Sequence, residues 1–476
     1  MSLKPIIVLL AFCFHCVLFS QSEPDGSYTL NECIAIALEN NLNLKSTALV
    51  ANSADINFKQ SKANMLPSLN GSYNIGMNNG RSIDPFTNLF INQELTFSNA
   101  NLNLDATIFN GFRLLNSVKQ GQLNKQAAEM EIEEAKQNLV LSVTLAYLQV
   151  LNNRDLLELA KKRLVATNEQ LKRQEDLYNE EVGNPADYAD MVGQESMDET
   201  NILSSESALN NSKLTLVRLL NLEDEFSIDT TDLLMSLDGY PYSSQDVYEE
   251  ALQNLATFKA KTLRIDATKK GVSVAKAQYI PEISLFGQLN TNHSSVAQTF
   301  TETGSHVVET SDFVVVNNQN LPVFANQTEY KSQNISYTDQ FDNNLNTVVG
   351  LSVLVPIFNG FRAKNNVALQ KIQVEESLIE LERTQQEIKN SIKQVHFDME
   401  AAFLRYQSLL KQVAAYKESY RVNDIRFNNG ASNFLAYITS KNNLDSSQTN
   451  LANAKYEYFL RVIVLDYYRG KSFATL

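Results

Sequence analysis

The chain has few of the groups on which chemistry is usually built. It holds three cysteines and four histidines in 476 residues. Cys13 and Cys16 fall within an apolar run, Pro5 to Phe19, that follows Lys4 and ends at the small residue Ser20. That is the pattern of a secretory signal, expected over residues 1–20. Neither cysteine follows the small residue that a lipoprotein processing site needs, so no acyl anchor is expected. Cleavage leaves Cys33 alone, which excludes an intramolecular disulfide. No HExxH, GxxxxGK[ST], GxSxG or CxxC occurs. His293 and His306 lie in a polar segment, and His396 adjoins a helical apolar stripe. Acid runs such as Glu131-Ile132-Glu133-Glu134 read as a solvated helix face. No catalytic constellation, cofactor site or metal-ligand set emerges, so the chain does not read as an enzyme. Basic residues are also short: Lys and Arg number 40 against 54 Asp and Glu, for a net charge of −14. Removal of Lys4 makes that deficit larger, which disfavours nucleic acid or an anionic surface as partner. Past the signal, no stretch approaches the roughly 18 to 20 consecutive apolar residues of a membrane helix. A mature chain that spans a membrane would do so as strands. No proline- or glycine-rich linker divides the sequence, and the acidic stretch Glu223 to Asp238 is the candidate join.

What is present is a duplication. Phe109-Asn110-Gly111-Phe112-Arg113 recurs as Phe358-Asn359-Gly360-Phe361-Arg362, a spacing of 249. Upstream, Tyr28, Ala37-Leu38 and Pro67 recur as Tyr242, Ala251-Leu252 and Pro281, at a spacing of 214. The second copy therefore carries 35 more residues between its proline and its FNGFR, within about 291–344. Repeats of this length describe a two-fold architecture and not a solenoid, with residues 21–240 and 241–476 as the copies.

Each copy opens with a helix-like segment, Leu30 to Lys62 and Val247 to Gln278, ended by a proline. The period then changes to two. Leu69, Gly71, Tyr73, Ile75 and Met77 alternate with polar residues, as do Ile283, Leu285, Gly287 and Leu289 less cleanly. Before FNGFR, Leu102, Leu104, Ala106 and Ile108 alternate with Asn101, Asn103, Asp105 and Thr107, and Leu351, Val353, Val355 and Ile357 repeat the pattern. Such strands fit either an outer-membrane barrel or a soluble two-sided sheet. In lipid a barrel must close, with about eight strands as the minimum. The membrane reading thus needs an oligomer: two chains give about eight strands and three about twelve.

After FNGFR the period becomes heptad. Steps of four and three from Leu139 to Tyr178 give nine apolar positions of twelve, and the same steps from Ile388 to Phe427 give eleven. A stripe this long predicts coiled-coil packing. Gly183 and Gly430 break it, and return helices follow over 187–222 and 434–468.

Strand pair, FNGFR turn and long helical hairpin, all twice, resemble the TolC family of outer-membrane efflux proteins. The match rests on Val355 to Arg362 and its echo Thr107 to Arg113, and on the tips Leu177-Tyr178 to Gly183 and Arg426-Phe427 to Gly430. Asp187-Tyr188-Ala189-Asp190-Met191 is similar to the family's Asp-x-x-Asp stretch. The resemblance implies an α plus transmembrane-β fold: a homotrimer sharing a twelve-stranded barrel in outer-membrane lipid, continuous with a periplasmic helical tunnel. It implies a passive exit duct for tripartite efflux or type I secretion, docked to a periplasmic adaptor and an inner-membrane transporter. Adaptor docking falls to tip residues Val182, Gly183, Asn429, Gly430 and Ala431. The strand-to-helix turns are Asn110, Gly111 and Phe112, with Asn359, Gly360 and Phe361. The sequence departs from the family where paired aspartates are expected after the second glycine: Ala436 and Thr439 stand there, and Ser432 stands two residues after Gly430, where no basic residue is present to clasp the tip. Asp187 and Asp190 in the first repeat are the candidate entrance constriction, provided the tip is two residues shorter in the second copy (183 to 430 is 247). Their other reading is as first-turn acids that satisfy free backbone amides. A non-conducting structural or adhesive coiled-coil protein is the alternative function; it accounts for the heptads but not for the strands.

Overall fold

The structure, a computed structural model, describes residues 27–84, 87–222, 227–228 and 239–471. The expected signal and most of the acidic join lie outside them. In chain order the elements are β1 (Ser27–Tyr28), α1 (Leu30–Asn40), α2 (Leu42–Ala63), β2 (Ser68–Asn78), β3 (Arg81–Ile83), β4 (Phe90–Asn92), β5 (Leu95–Phe109), α3 (Arg113–Asn179) and α4 (Pro185–Leu220). Then come β6 (Ser227–Ile228), α5 (Ser244–Asn254), α6 (Ala256–Lys276), β7 (Glu282–Ser294), β8 (Gln298–Val316), β9 (Gln319–Asn334), α7 (Tyr337–Asn343), β10 (Asn346–Leu354), α8 (Arg362–Asn428) and α9 (Phe434–Tyr468). They form two compact units. One draws on described residues within 1–51, 128–261 and 380–476, the other on those within 52–127 and 262–379.

In the first unit the repeat is visible at the helix starts. Thr29 accepts from the Glu32 amide and Glu32 accepts from the Thr29 amide, at 3.3 and 2.8 Å. Ser243 and Asp246 build the same capping box 214 residues later, at 3.2 and 3.0 Å. Each cap is worth about 1 kcal/mol. The single helices expected here are each broken, at equivalent points: Asn41 and Leu255 take extended ψ values of 122° and 130°. At Asn41 the cause is its own amide side chain. Oδ1 accepts from the Asn43 and Leu44 amides, and Nδ2 donates to the Leu219 carbonyl, a local alternative to helical bonding. Around these short helices lies the main core, with Cys33 and Ala37 from α1, Val143 and Tyr147 from α3, Leu216 and Leu220 from α4, and Ile463 and Leu465 from α9. Burial pushes the Cys33 thiol up to about 12, so this lone cysteine is a small hydrophobe and not a nucleophile.

The long helices α3 and α8 have 67 residues each, about 100 Å at 1.5 Å per residue. From Leu139 to Gln174, and from Ile388 to Phe427, every stripe position is buried or half-buried.

The second unit contains a four-stranded antiparallel sheet in the order β10-β7-β5-β2. Its register turns the period-two pattern into rows. Leu69, Leu104, Gly287 and Val349 stand opposite one another across all four strands. Ala106, Leu285 and Leu351 form a further apolar row. On the opposite face run Asn70, Asn103, Gln288 and Val348, and Ser72, Asn101, Asn290 and Asn346, with Phe97 and Phe286 among the polar rows. One face is thus apolar and exposed, with Ile75 and Val349 about 70% accessible (69% and 72%), while the other is lined mainly with amides and hydroxyls.

The extra segment of the second repeat, within about 291–344 and rich in Asn, Gln, Ser and Thr, is built structure. Strand β8 pairs antiparallel with β9 from Gln298↔Asn334 to Val316↔Gln319. Asn317 and Asn318 make the turn with φ of 53° and 63°, the left-handed pair that a two-residue hairpin requires. Helix α7 then anchors the return: Gln340 Oε1 accepts from the Ser294 amide and its Nε2 donates to the Ser294 and Ile335 carbonyls, at 2.8 to 3.0 Å.

Strand passes to helix at the two FNGFR turns. Gly111-Phe112 and Gly360-Phe361 all have φ between 60° and 65°, and the flanking rings stack edge-on, Phe109 on Phe112 and Phe358 on Phe361, at 5.4 and 5.5 Å. The two glycines differ in surroundings. A Cβ on Gly111 would sit 2.7 Å from the Ile280 Cβ, whereas one on Gly360 would meet nothing within 4 Å. Gly360→Ala should therefore cost about 1–2 kcal/mol, the left-handed strain alone, and Gly111→Ala measurably more. Thermal unfolding of the two variants checks this; equal losses would show that Ile280 yields freely.

Candidate functional site

At the first tip, α3 ends in a left-handed Glu181, φ 58°, and the amides of Val182 and Gly183 bond back to the Leu177 carbonyl at 3.1 and 2.8 Å. At the second, α8 ends in Gly430, φ 69°, and the Ala431 amide bonds to the Arg426 carbonyl at 2.7 Å. Both are helix-ending motifs in which one αL residue frees the chain to reverse. The counterpart of Gly430 is therefore Glu181, at the same spacing of 249 (181 to 430), and not Gly183. No shortening of the tip is needed, because Asn184 and Asn433, the caps of α4 and α9, also differ by 249. Gly183 does not take a positive φ. It is required by contact: a Cβ there would lie 2.9 Å from the Leu177 backbone carbon. Val182 is 74% exposed, and Asn429 and Ala431 are exposed as well.

The first turn of α4 settles what Asp187 bonds to. Asn184 Oδ1 accepts from the Ala186 amide at 3.1 Å, and Asn184 Nδ2 donates to Asp187 at 3.0 Å. The capping acceptor is Asn184, leaving Asp187 half-buried and Asp190 exposed one turn on. Burial raises the Asp187 carboxyl above the usual aspartate range; the neighbouring Asp190 charge adds to the rise, and the Asn184 donor opposes it. Tyr188 stacks on Tyr178 at 5.1 Å. Just inside the tips the hairpins meet in a small core of Met191, Phe434 and Tyr437, flanked by Leu171, Tyr420 and Phe427.

Beneath that core lies a charged cluster that sequence reading missed. Lys441 on α9 is 2% exposed and Asp198 on α4 is 3% exposed. Their side chains approach to 3.4 Å, and Lys441 Nζ also reaches Asp445 at 2.9 Å. Asp198 further accepts from Thr167 of α3 and from Gln194. Arg163 reaches Asp445 at 3.4 Å and donates to Thr449. The available signal was the interruption of otherwise apolar helix faces: Met191, Gln194 and Asp198 fall at helical spacing, as do Phe434, Tyr437, Lys441 and Leu444.

The two FNGFR turns come together at a cavity of about 600 Å³ lined by Asn110, Arg113, Glu282, Asn359 and Arg362 among others. The histidines have ordinary partners: His306 reaches Glu329 at 2.9 Å, and His396 Nε2 lies 3.0 Å from the Tyr242 carbonyl. Among the described residues no cluster of His, Cys, Asp and Glu is arranged to hold a metal, and no helix is long and apolar enough to cross a membrane.

The model of the outer membrane efflux protein family matches residues 33–222 and 308–470. The chain belongs to this family. It is 20% identical over 435 residues to the outer membrane protein TolC of Vibrio cholerae, covering 90% of this chain and 87% of that one. It is 22% identical over 377 residues to the outer membrane efflux protein BepC of Brucella suis, covering 79% and 71%. The fold is that of solved outer-membrane proteins. CusC superposes with a TM-score of 0.75 over 93% of this chain and 92% of its own, and Vibrio cholerae VceC with 0.73 over 93% and 96%, each at 16% identity. Family and fold are those of outer-membrane efflux channels, which places the protein in the outer membrane and extending into the periplasm.

The buried cluster makes a quantitative prediction. Lys441→Met leaves the buried Asp198 carboxylate without a cation, while Asp445 keeps Arg163, and should cost about 3–5 kcal/mol; adding Asp198→Leu should recover most of that loss. Denaturant titration of the solubilised protein reads both; a double mutant no better than the single would mean that the ion pair is not the source of the loss.

Proposed function

We propose that three copies assemble into a passive duct that carries substrates through the outer membrane. The observation that carries this is the sheet: one apolar exposed face, one polar face, and unpaired edges on β10 and β2. Pooled from three chains, four strands each give about twelve, a closed barrel with the amide-lined face inward. The long hairpins then form the periplasmic tunnel, whose tips dock on an adaptor protein linked to an energy-consuming inner-membrane transporter. A relative in Aggregatibacter actinomycetemcomitans is a toxin and drug export protein, and on this reading small molecules or proteins pass through the present duct in the same manner. Conductance of the purified assembly in planar bilayers is the test. An assembly that inserts and conducts nothing would favour the structural coiled-coil alternative.

At the entrance, Asp187 and Asp190 share one helix face and contribute six carboxylates to the trimer, a ring that favours cations. Because the Asp187 carboxyl is raised, its proton is held to a higher pH than in the unfolded chain. The folded state therefore binds more protons in that window, so stability falls and cation selectivity grows as pH rises through it. Asn substitution of both aspartates should weaken cation selectivity and remove its pH dependence above the ordinary aspartate range. Reversal potentials read this directly; unchanged selectivity would place the constriction elsewhere.

The β8–β9 hairpin lies between the two strands of the second repeat at the end away from the helices, and on this reading it faces the cell exterior. An epitope inserted beside Gln319, at its turn, should bind antibody on intact cells. Binding only after permeabilisation would invert the topology.

A further inference from the structure

Helix α7 lies against the apolar face of the sheet and not the amide-lined one. Side chains two apart on a strand share a face, so Tyr73, Ser98, Thr291 and His293 stand on the face of Leu69, Leu104 and Gly287. Each of the four meets α7. The Tyr337 hydroxyl lies 3.1 Å from the Tyr73 hydroxyl and 3.3 Å from Ser98 Oγ, and Thr291 Oγ1 donates to the Phe341 carbonyl at 2.7 Å. The Tyr337 ring packs on those of His293 and Phe341, with centroids 4.7 and 4.5 Å away. On that face the helix is outside any lumen that the amide-lined face encloses.

The level at which α7 crosses is where the apolar face changes chemistry. On β5 its residues pass from Leu104, Leu102 and Ala100 to Ser98 and Thr96, on β7 from Leu285 and Leu289 to Thr291 and His293, and on β10 from Leu351 and Val349 to Thr347. The first polar residue moves by one row from each strand to the next: Thr347 stands in the row of Leu289, Thr291 in that of Ala100, and Ser98 in that of Ile75. One row is about 7 Å along a strand, against about 4.8 Å between strands. A boundary sloping in this way is the trace of a plane that cuts tilted strands, which in membranes lean by about 45°. Helix α7 is itself two-sided. It carries Tyr337, Gln340 and Phe341 toward the sheet and leaves Asp339, Asp342 and Asn343 exposed. Two exposed carboxylates are costly in hydrocarbon, so α7 is no part of the lipid-buried band. Yet apolar surface runs up to it, with Ile75 69% and Tyr73 56% accessible. Rings with a polar tip, such as Tyr73 and Tyr337, are enriched where membrane meets water.

We propose that α7 is an interfacial helix: it seats at the boundary between hydrocarbon and headgroups in the exterior leaflet, with Tyr73, Tyr337 and Phe341 as the anchor. Its partner is the lipid surface. The inference rests on the reading that the sheet is embedded in the membrane, and not on conduction.

The chain contains no tryptophan, so one introduced at a time reports its own depth in the reconstituted full-length assembly, read by quenching with phospholipids brominated at different points along the acyl chain. Leu104→Trp, in the middle of the apolar face, should be quenched most by bromines near the chain ends. Tyr337→Trp should be quenched most by bromines nearest the headgroup. Phe341→Trp leaves the Tyr337 hydroxyl contacts in place and should give the same shift, which covers the case in which the first variant disturbs the helix. Val315→Trp, near the turn of the β8–β9 hairpin, should not be quenched. With position 104 quenched, probes at 337 and 341 that match it in depth would put α7 in hydrocarbon, and probes as unquenched as that at 315 would put it in water; either result overturns the proposal. An unquenched probe at 104 would instead overturn the membrane reading of the sheet, and the interfacial helix with it.

Discussion

In hydrocarbon, a backbone amide or carbonyl without a partner has no water to turn to, and the four-stranded sheet of this protein ends on two strands with one side unpaired. That constraint orders most of what surrounds it. The rows of apolar residues, from Leu69 across to Val349, set which face meets lipid. The facing rows of asparagine, glutamine and serine are of little use to a buried core and suit a water-filled lumen. Glycine spacing fits the same logic. Gly350 and Gly76 leave room for the rings of Phe286 and Phe97, whose atoms would lie within 2.6 and 2.7 Å of an added Cβ. The strands must also pass into helices: β5 does so across residues 110–112 through the left-handed pair Gly111-Phe112, whereas residues 355–361 separate β10 from α8 and end in the matching pair Gly360-Phe361. Closure in the trimer we propose is then the completion of a pairing already begun in each chain.

The helical hairpins obey a different rule, since apolar stripes are buried against helices of the same chain and their polar members must be satisfied there. Thr167 sits on the stripe of α3 fully buried and donates to Asp198. Transfer of Lys441 and Asp198 out of water costs several kcal/mol per ion, offset only where contacts are complete. Here each carboxylate has more than one donor and the ammonium has two carboxylates. The cluster also specifies register. An apolar interface between α4 and α9 tolerates sliding by a turn, whereas one ammonium between Asp198 and Asp445 fits a single alignment.

Much of this was legible in the sequence because it depends on period. Period-two segments located all four strands of the main sheet, and the heptad stripe, ending at Tyr178 and Phe427, located the C-terminal ends of α3 and α8 to within a residue, although it begins 26 residues after each helix starts. Legibility failed where a single side chain overrides the pattern. Asn41 breaks a helix through its own amide, and no periodicity signals it. Glu181 adopts a conformation usually left to glycine, so the nearby Gly183 drew the alignment two residues out of place. The β8–β9 hairpin hid because its alternation is interrupted at Glu302/Gly304 and Glu309/Phe313, although Asn317-Asn318 between two β-rich runs was a turn signal. The buried Lys441 cluster hid for the opposite reason, since charged residues on a helix are most often solvated.

The two repeats match in backbone and differ in chemistry, and the differences concentrate at the ends. Helices α3 and α8 are equal in length and their caps fall at one spacing, yet Asp187 and Asp190 correspond to Ala436 and Thr439, and Glu181 to Gly430. A left-handed glutamate carries strain of about 1–2 kcal/mol that glycine does not, so the first tip is the less firmly set of the two. In a threefold assembly the entrance would alternate charged, strained tips with neutral, relaxed ones. Binding that favours one arrangement of the first tip over another could shift it cheaply, while the Lys441 cluster, which joins α3, α4 and α9, holds the helix register beneath both tips. On this argument the duplication supplies the scaffold, and divergence at a few terminal residues supplies the difference on which opening would act.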